Sequence, residues 1–147
     1  MADAAPDDGA EVDPALFDRL AADPLAELLG IELQQVQPGY ARAGMTVGPR
    51  LLNALGTAHG GATMALLDVV HAAVSNSHGT VAVAQDVHTE FLTAGRPGER
   101  LVAEGTELHR GRRTAVYRID ARGEDGRLVA TALARVFRTD QPWGPPA

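Results

Sequence analysis

The chain has 147 residues, 13 basic and 19 acidic, with a formal net charge of -6 and no cysteine. That length fits one domain able to bury a core without metals or cross-links. The missing cysteines exclude disulfides, thiolate chemistry and cysteine-bound zinc, and the negative balance argues against a general nucleic-acid binder.

Met1 to Asp13 holds five acids and no lysine or arginine. It reads as a disordered tail and lacks the basic start and apolar run of a secretory signal. No stretch of 18 apolar residues occurs, so no membrane span is expected, and the default location is the cytoplasm. A single domain is expected over residues 14–139, with a second tail over 140–147.

Asp13-Pro14 starts a helix with an apolar stripe of Leu16, Phe17 and Leu20. Asp23-Pro24 repeats that signal, and Gly30 stops the second helix. Ile31–Gln37 and Tyr40–Val47 alternate about a Pro38-Gly39 turn and form a hairpin. Leu51–Gly56 is irregular and polar. A helix then starts near Thr57 or His59 and ends near Ser75-Asn76, apolar on nearly every side, which predicts burial on most of its surface. Its one carboxylate is Asp68.

Only strands follow. Val81–Leu92 alternates, with Val81, Val83, Gln85, Val87, Thr89 and Phe91 predicted on one face. Strands over 101–108, 114–121 and 128–137 come next, separated by glycine-rich turns, and the chain ends in a proline-rich tail. The outline is α+β: an antiparallel curved sheet wrapped on one side by a single long helix. One helix covers one face of a sheet, so an oligomer is expected.

Chemistry concentrates between Asn53 and Asp68. Gly60 and Gly61 are either a tight helix entry or a source of free backbone N–H groups for a carbonyl oxygen. Asp68 is either a satisfied helix acid or a general base or nucleophile. His59 reads as a cap that holds the loop, and Asn53 as a turn former. Arg112 and Arg113, in a stretch without lysine, are either turn residues or forked phosphate contacts. Asp68 with His71, and His71 with His78, are too sparse for a metal site, and no His-Glu-x-x-His pattern occurs.

Asn53-x-x-Gly56-x-x-His59-Gly60-Gly61 followed by Leu67-Asp68 resembles the signature of the hotdog-fold acyl-CoA thioesterases. The phenylacetate-pathway thioesterase-like branch is the nearest group. Glu90-Phe91-Leu92 with Gly95, Gly111-Arg112-Arg113-Thr114 and Gly126–Ala130 continue the likeness, which spans Gly39 to Arg138. The resemblance implies hydrolysis of acyl-CoA to a free acid and coenzyme A. Coenzyme A belongs to the substrate, so no retained cofactor is expected. It implies Asp68 as base or nucleophile, the Gly60 N–H on the carbonyl, and Asn53 and His59 beside them. Gly61, Gln85, Thr89, Arg112 and Arg113 are the expected substrate contacts. Relatives place a serine or threonine near the start of the long strand, where this chain has Ala84, and Gln85, Asp86, His88 or Thr89 stands nearby to compensate. The resemblance also implies a homodimer as the minimum active unit, with further pairing into a homotetramer. Rival readings are an acyl-carrier-protein thioesterase and a non-catalytic acyl-CoA-binding hotdog protein.

Overall fold

The computed structural model describes residues 9–144; most of the expected acidic tail and the last three residues lie outside that range. Two short helices open the chain, α1 (Pro14–Ala21) and α2 (Pro24–Leu29). Each starts at an aspartate whose carboxylate accepts backbone N–H groups: Asp13 from Ala15 at 2.8 Å, and Asp23 from Leu25 and Ala26 at 3.0 Å. β1 (Ile31–Gln37) and β2 (Tyr40–Thr46) form the predicted hairpin. After a turn of 3-10 helix at Pro49–Leu51 comes the long helix α3 (Gly60–Ser75), then β3 (Thr80–Phe91), β4 (Arg100–Arg110), β5 (Thr114–Arg122) and β6 (Leu128–Pro142).

The six strands make one sheet in the order β1-β2-β4-β5-β6-β3, antiparallel throughout. β3 therefore pairs with the last strand and leaves its other edge unpaired in the single chain. α3 lies across one face. The floor beneath it is built of small residues, with Ala41, Ala43, Ala103, Ala115, Ala121 and Ala130 all fully buried. Short side chains let a helix approach a sheet closely. Gly105 shows how close: a Cβ there would stand 2.8 Å from Cγ1 of Val70 and 3.2 Å from Cγ1 of Val74.

Two expectations are corrected. α3 is buried over most of its surface, as its apolar run predicts, but Gly61, Asp68 and Ala72 are exposed, with Met64 and Ala65 half-buried between them. These positions recur at helical spacing and form one stripe facing away from the sheet. Asp68, expected in an apolar interior, has a side chain 61% exposed. On β3 the predicted alternation breaks, because the register shifts between Ala84 and Asp86 and leaves Gln85 as a bulge. Ala84 lies opposite buried Val136, whereas Val87 and Thr89 lie opposite buried Ala134 and Ala132. Ala84, Val87, Thr89 and Phe91 thus share the helix side, while Val83 faces outward beside Phe137.

The C-terminal segment is also not a free tail. β6 runs to Pro142, and the Trp143 indole N–H donates to Asn76 Oδ1 at 3.0 Å, closing the end of α3. At the other end the domain begins before Asp13, since Val12 N–H donates to Val36 O at 3.1 Å.

Candidate active site

The loop entering α3 is held by its own polar groups. Asn53 Oδ1 accepts from Leu55 N–H at 2.9 Å and Thr57 N–H at 3.2 Å, and its Nδ2 donates to Thr57 Oγ1 at 3.0 Å. Backbone bonds from Asn53 N–H to Thr57 O (2.8 Å) and from Gly56 N–H to Asn53 O (3.0 Å) complete the turn. Gly56 sits at φ +79°, which a side chain would strain. His59 N–H donates to Leu51 O at 2.7 Å and Ala58 N–H to Gly95 O at 3.0 Å, so the loop is pinned on both flanks.

His59 is the N-cap of α3, and its Nδ1 accepts the Gly61 N–H at 2.8 Å. That bond leaves the proton of a neutral imidazole on Nε2. It also corrects one expectation: the Gly61 N–H is taken by the cap and is not open to a substrate. A Cβ on Gly61 would come within 3.1 Å of His59 Nδ1, so the missing side chain serves the cap. The Gly60 N–H has no acceptor among the described residues. Gly60 borders a cleft of about 330 Å3 with Asn53, Thr57, Thr63, Phe91 and Gly95. The Phe91 ring forms one wall, 3.6 Å from where a Gly60 Cβ would stand.

The cleft-lining turn at Ala94 and Gly95 is tied to a buried ion pair that the sequence reading missed. Glu99, with a side chain only 6% exposed, accepts from Arg127 Nη1 at 2.6 Å and Nη2 at 2.7 Å, and from Arg96 N–H at 2.8 Å. Arg127 Nη2 also donates to Ala94 O at 3.0 Å, which ties the cleft-lining turn to the β5–β6 hairpin. The Arg127 hydrogen bonds, opposed in part by burial and reinforced by the Arg96 N–H, hold the Glu99 carboxyl down to about 2. The partners lie 28 positions apart, so no local pattern announces them.

The remaining expected residues do not join this cleft. Asp68 lies eight residues along α3 from Gly60, about 12 Å at 1.5 Å per residue. Thr89 Oγ1 points to Met64 Sδ at 3.1 Å, between those two levels. Gln85 is exposed at the bulge. Arg112 and Arg113 are exposed at the β4–β5 turn, beside the Phe137 end of β6, whereas Phe91 of the cleft pairs with Ala130 at the other end. Arg113 is engaged with Asp140 at 3.4 Å. No group of three or more metal-binding side chains occurs among the described residues.

An antiparallel six-stranded sheet wrapped on a long helix, with a glycine-rich helix entry beside a cleft, defines a hotdog-fold protein, and the comparisons agree. The model of the thioesterase superfamily matches residues 55–130, and the chain belongs to that family of enzymes. Within it the likeness is to PaaI. The acyl-coenzyme A thioesterase PaaI of Escherichia coli is 35% identical over 116 residues, covering 79% of this chain and 83% of that protein. The solved structure of E. coli PaaI superposes with a TM-score of 0.83 at 30% identity, covering 87% of this chain and 93% of the other. A thioesterase-like protein of Streptococcus pneumoniae, solved with coenzyme A, gives a TM-score of 0.73 at 30% identity over 77% of this chain and 88% of its own. Among the described residues no helix is long and apolar enough to cross a membrane.

Proposed function

We propose that this protein hydrolyses acyl-CoA thioesters to a free acid and coenzyme A, in a site completed by two copies of the chain. The observation that carries this reading is the unpaired Gly60 N–H at the helix start, opening on the cleft. Such a donor suits a thioester carbonyl oxygen and the negative charge that develops on it. The name of the E. coli relative and the coenzyme A held by the Streptococcus relative support the substrate class.

Asp68 supplies the attack. Its carboxylate takes a proton from a water whose oxygen adds to the carbonyl carbon; the C–S bond then breaks and the thiolate of coenzyme A leaves. Alternatively, an Asp68 oxygen adds first, expels the thiolate, and water cleaves the resulting anhydride. Either route needs Asp68 and Gly60 within a few ångströms of one carbon, and 12 Å of helix separates them within a chain. Two protomers joined along the free edge of β3 set the Asp68 stripe of one against the Gly60 cleft of the other. The same joining carries the Arg112 end of one protomer toward the partner's cleft, where its guanidinium suits a phosphate of coenzyme A. A further pairing of dimers into a tetramer uses the outward apolar residues Val83, Leu133 and Phe137, each more than a third exposed.

Asn53 and His59 hold the loop that aims the Gly60 N–H, and Thr89 and Gln85 line the strand beside Asp68. Two variant structures of the Streptococcus protein replace an aspartate and a threonine sixteen positions apart. Sixteen positions beyond Asp68 this chain has Ala84, so the water is oriented here without a hydroxyl at that place. The Phe91 wall favours an aromatic acyl group.

The test is hydrolysis of phenylacetyl-, benzoyl- and medium-chain acyl-CoA by the wild type, Asp68→Asn and Asp68→Ala. The expected outcome is fastest turnover of an aromatic thioester and a loss of kcat of about 10³-fold or more in both variants. Full activity in either variant would refute the role of Asp68. Tight acyl-CoA binding without hydrolysis by the wild type would mark a binding protein instead.

A further inference from the structure

His71 is the one buried titratable side chain on α3, and the mechanism above leaves it unused. Its side chain is 2% exposed, and its Nε2 is buried without any hydrogen-bond partner. Its Nδ1 stands 3.9 Å from Asp68 Oδ1, one turn back on the helix. The ring is tilted against Tyr117, with centroids 5.8 Å apart and planes at 56°. Beyond it, the Tyr117 hydroxyl donates to Glu107 Oε2 at 3.1 Å, and His78 Nε2 meets the same oxygen at 3.0 Å. Arg110 and Arg138 lie past these groups at the end of the sheet. Burial, then Glu107, pushes the Tyr117 hydroxyl well above the usual tyrosine range, so it stays protonated.

A leucine or phenylalanine would fill this position without an unpaired nitrogen, whose burial is unfavourable. Polar groups kept at such a cost point to a use. The i,i+3 spacing sets Nδ1 toward the carboxylate, and the exposed Asp68 side chain is free to close the remaining ångström by rotation. We infer that His71 is a positioning residue for Asp68: its Nδ1–H donates to the carboxylate when partner and substrate cover the site, fixing the attacking oxygen and favouring its ionised form. The hydrogen bond is stronger once water is excluded, and it acts on the charged form of the acid. Tyr117 and the Glu107–His78 pair behind it hold the ring in place and do not touch Asp68.

This inference rests on the reading of Asp68 as the attacking group, and one experiment separates the two. kcat, KM and the pH profile of kcat/KM are measured for the wild type, His71→Phe, His71→Asn and Asp68→Asn, with thermal melts of each. His71→Phe keeps a flat aromatic ring, somewhat larger than the imidazole, and removes both nitrogens. The expected result is a kcat lowered about 10- to 100-fold with KM within twofold of wild type. The acid limb of its profile moves to higher pH, while its melting temperature stays level or rises. His71→Asn places an amide N–H near the Nδ1 position and restores the acid limb and part of kcat. Wild-type kcat and acid limb in His71→Phe overturn the inference, as do equal losses in both His71 variants with an unmoved limb. Should His71→Phe fail to fold, His71→Leu is measured against the same outcomes. If Asp68→Asn is inactive and His71→Phe is not altered, only the role of His71 falls; if Asp68→Asn is fully active, the reading beneath it falls as well.

Discussion

The two ends of the functional stretch are built differently. Around Gly60 most of the loop's polar groups are satisfied by the same chain. Asn53 folds the loop, His59 caps the helix, Gly95 and Leu51 accept the flanking N–H groups, and Arg127, paired with Glu99, secures the turn at Ala94. Around Asp68 little is satisfied: the carboxylate is exposed, the stripe through Gly61, Met64, Ala65, Asp68 and Ala72 has no cover, and the edge of β3 is unpaired. One end is a finished half of a site, with the Gly60 N–H left open toward the cleft. The other is a half that needs a second surface. Under the proposed mechanism, in which Gly60 holds the carbonyl and Asp68 attacks it, a chain built this way would be active only in pairs.

The most direct way to break this contrast is Gly60→Pro. Gly60 is the first residue of α3, where proline is tolerated, and His59 before it is already extended (φ -65°, ψ 132°). The substitution removes the N–H with little cost to the fold. The expected loss is about 10²–10³-fold in kcat, as for other single oxyanion donors, with a melting temperature near wild type. Mixing Gly60→Pro with Asp68→Asn after unfolding and refolding together then sharpens the comparison. Half the dimers formed at random are mixed, and each mixed dimer has one intact site if the halves come from different chains. About a quarter of wild-type activity should return. A site within one chain predicts no recovery, and the assay needs only the two inactive variants.

Gly105→Ala presses on the open half from below. Its Cβ would fall 2.8 Å from Val70, so α3 must lift beside His71 while the Gly60 loop keeps its own bonds. Overpacking of this kind costs about 1–3 kcal/mol. Thermal denaturation should show that loss, and kcat should fall further than acyl-CoA binding weakens.

Much of the finished half was legible in the sequence, because it is local. A polar, glycine-rich loop running into an apolar helix announces its own turn, its cap and the Gly60 donor within nine residues. The open half was not. Met64, Ala65 and Ala72 around Asp68 read as burial, yet a single chain leaves them uncovered, and sequence hydrophobicity does not distinguish an interior from a surface awaiting a partner. On β3 the alternation failed at Gln85, where neither glycine nor proline signals the bulge. The pairing of β3 with β6 and the docking of Trp143 on Asn76 are contacts across 39 or more positions, and no periodicity encodes them. Glu99 and Arg127 share that blindness.

That ion pair gives the smallest of the expected effects and tests whether the finished half depends on charges of its own chain. The folded carboxyl of Glu99 sits at about 2, against an ordinary value of 4.5. A depressed carboxylate contributes stability that is fully present above pH 4.5 and is lost as pH falls through about 2. With allowance for screening at the domain surface, the contribution is on the order of 2 kcal/mol. Wild-type stability to urea should therefore decline between pH 4.5 and 2 by about that amount more than in Glu99→Gln, whose neutral side chain has no such proton to gain. At neutral pH the variant should already be weaker by a similar amount. Its kcat/KM should drop more than its stability suggests, because the turn carrying Ala94 and Gly95 is then free to drift from Gly60. If Glu99→Gln keeps both the wild-type acid response and the wild-type kcat/KM, the cleft wall is held by the backbone alone, and the contrast between a charge-secured half and an open half loses one of its supports.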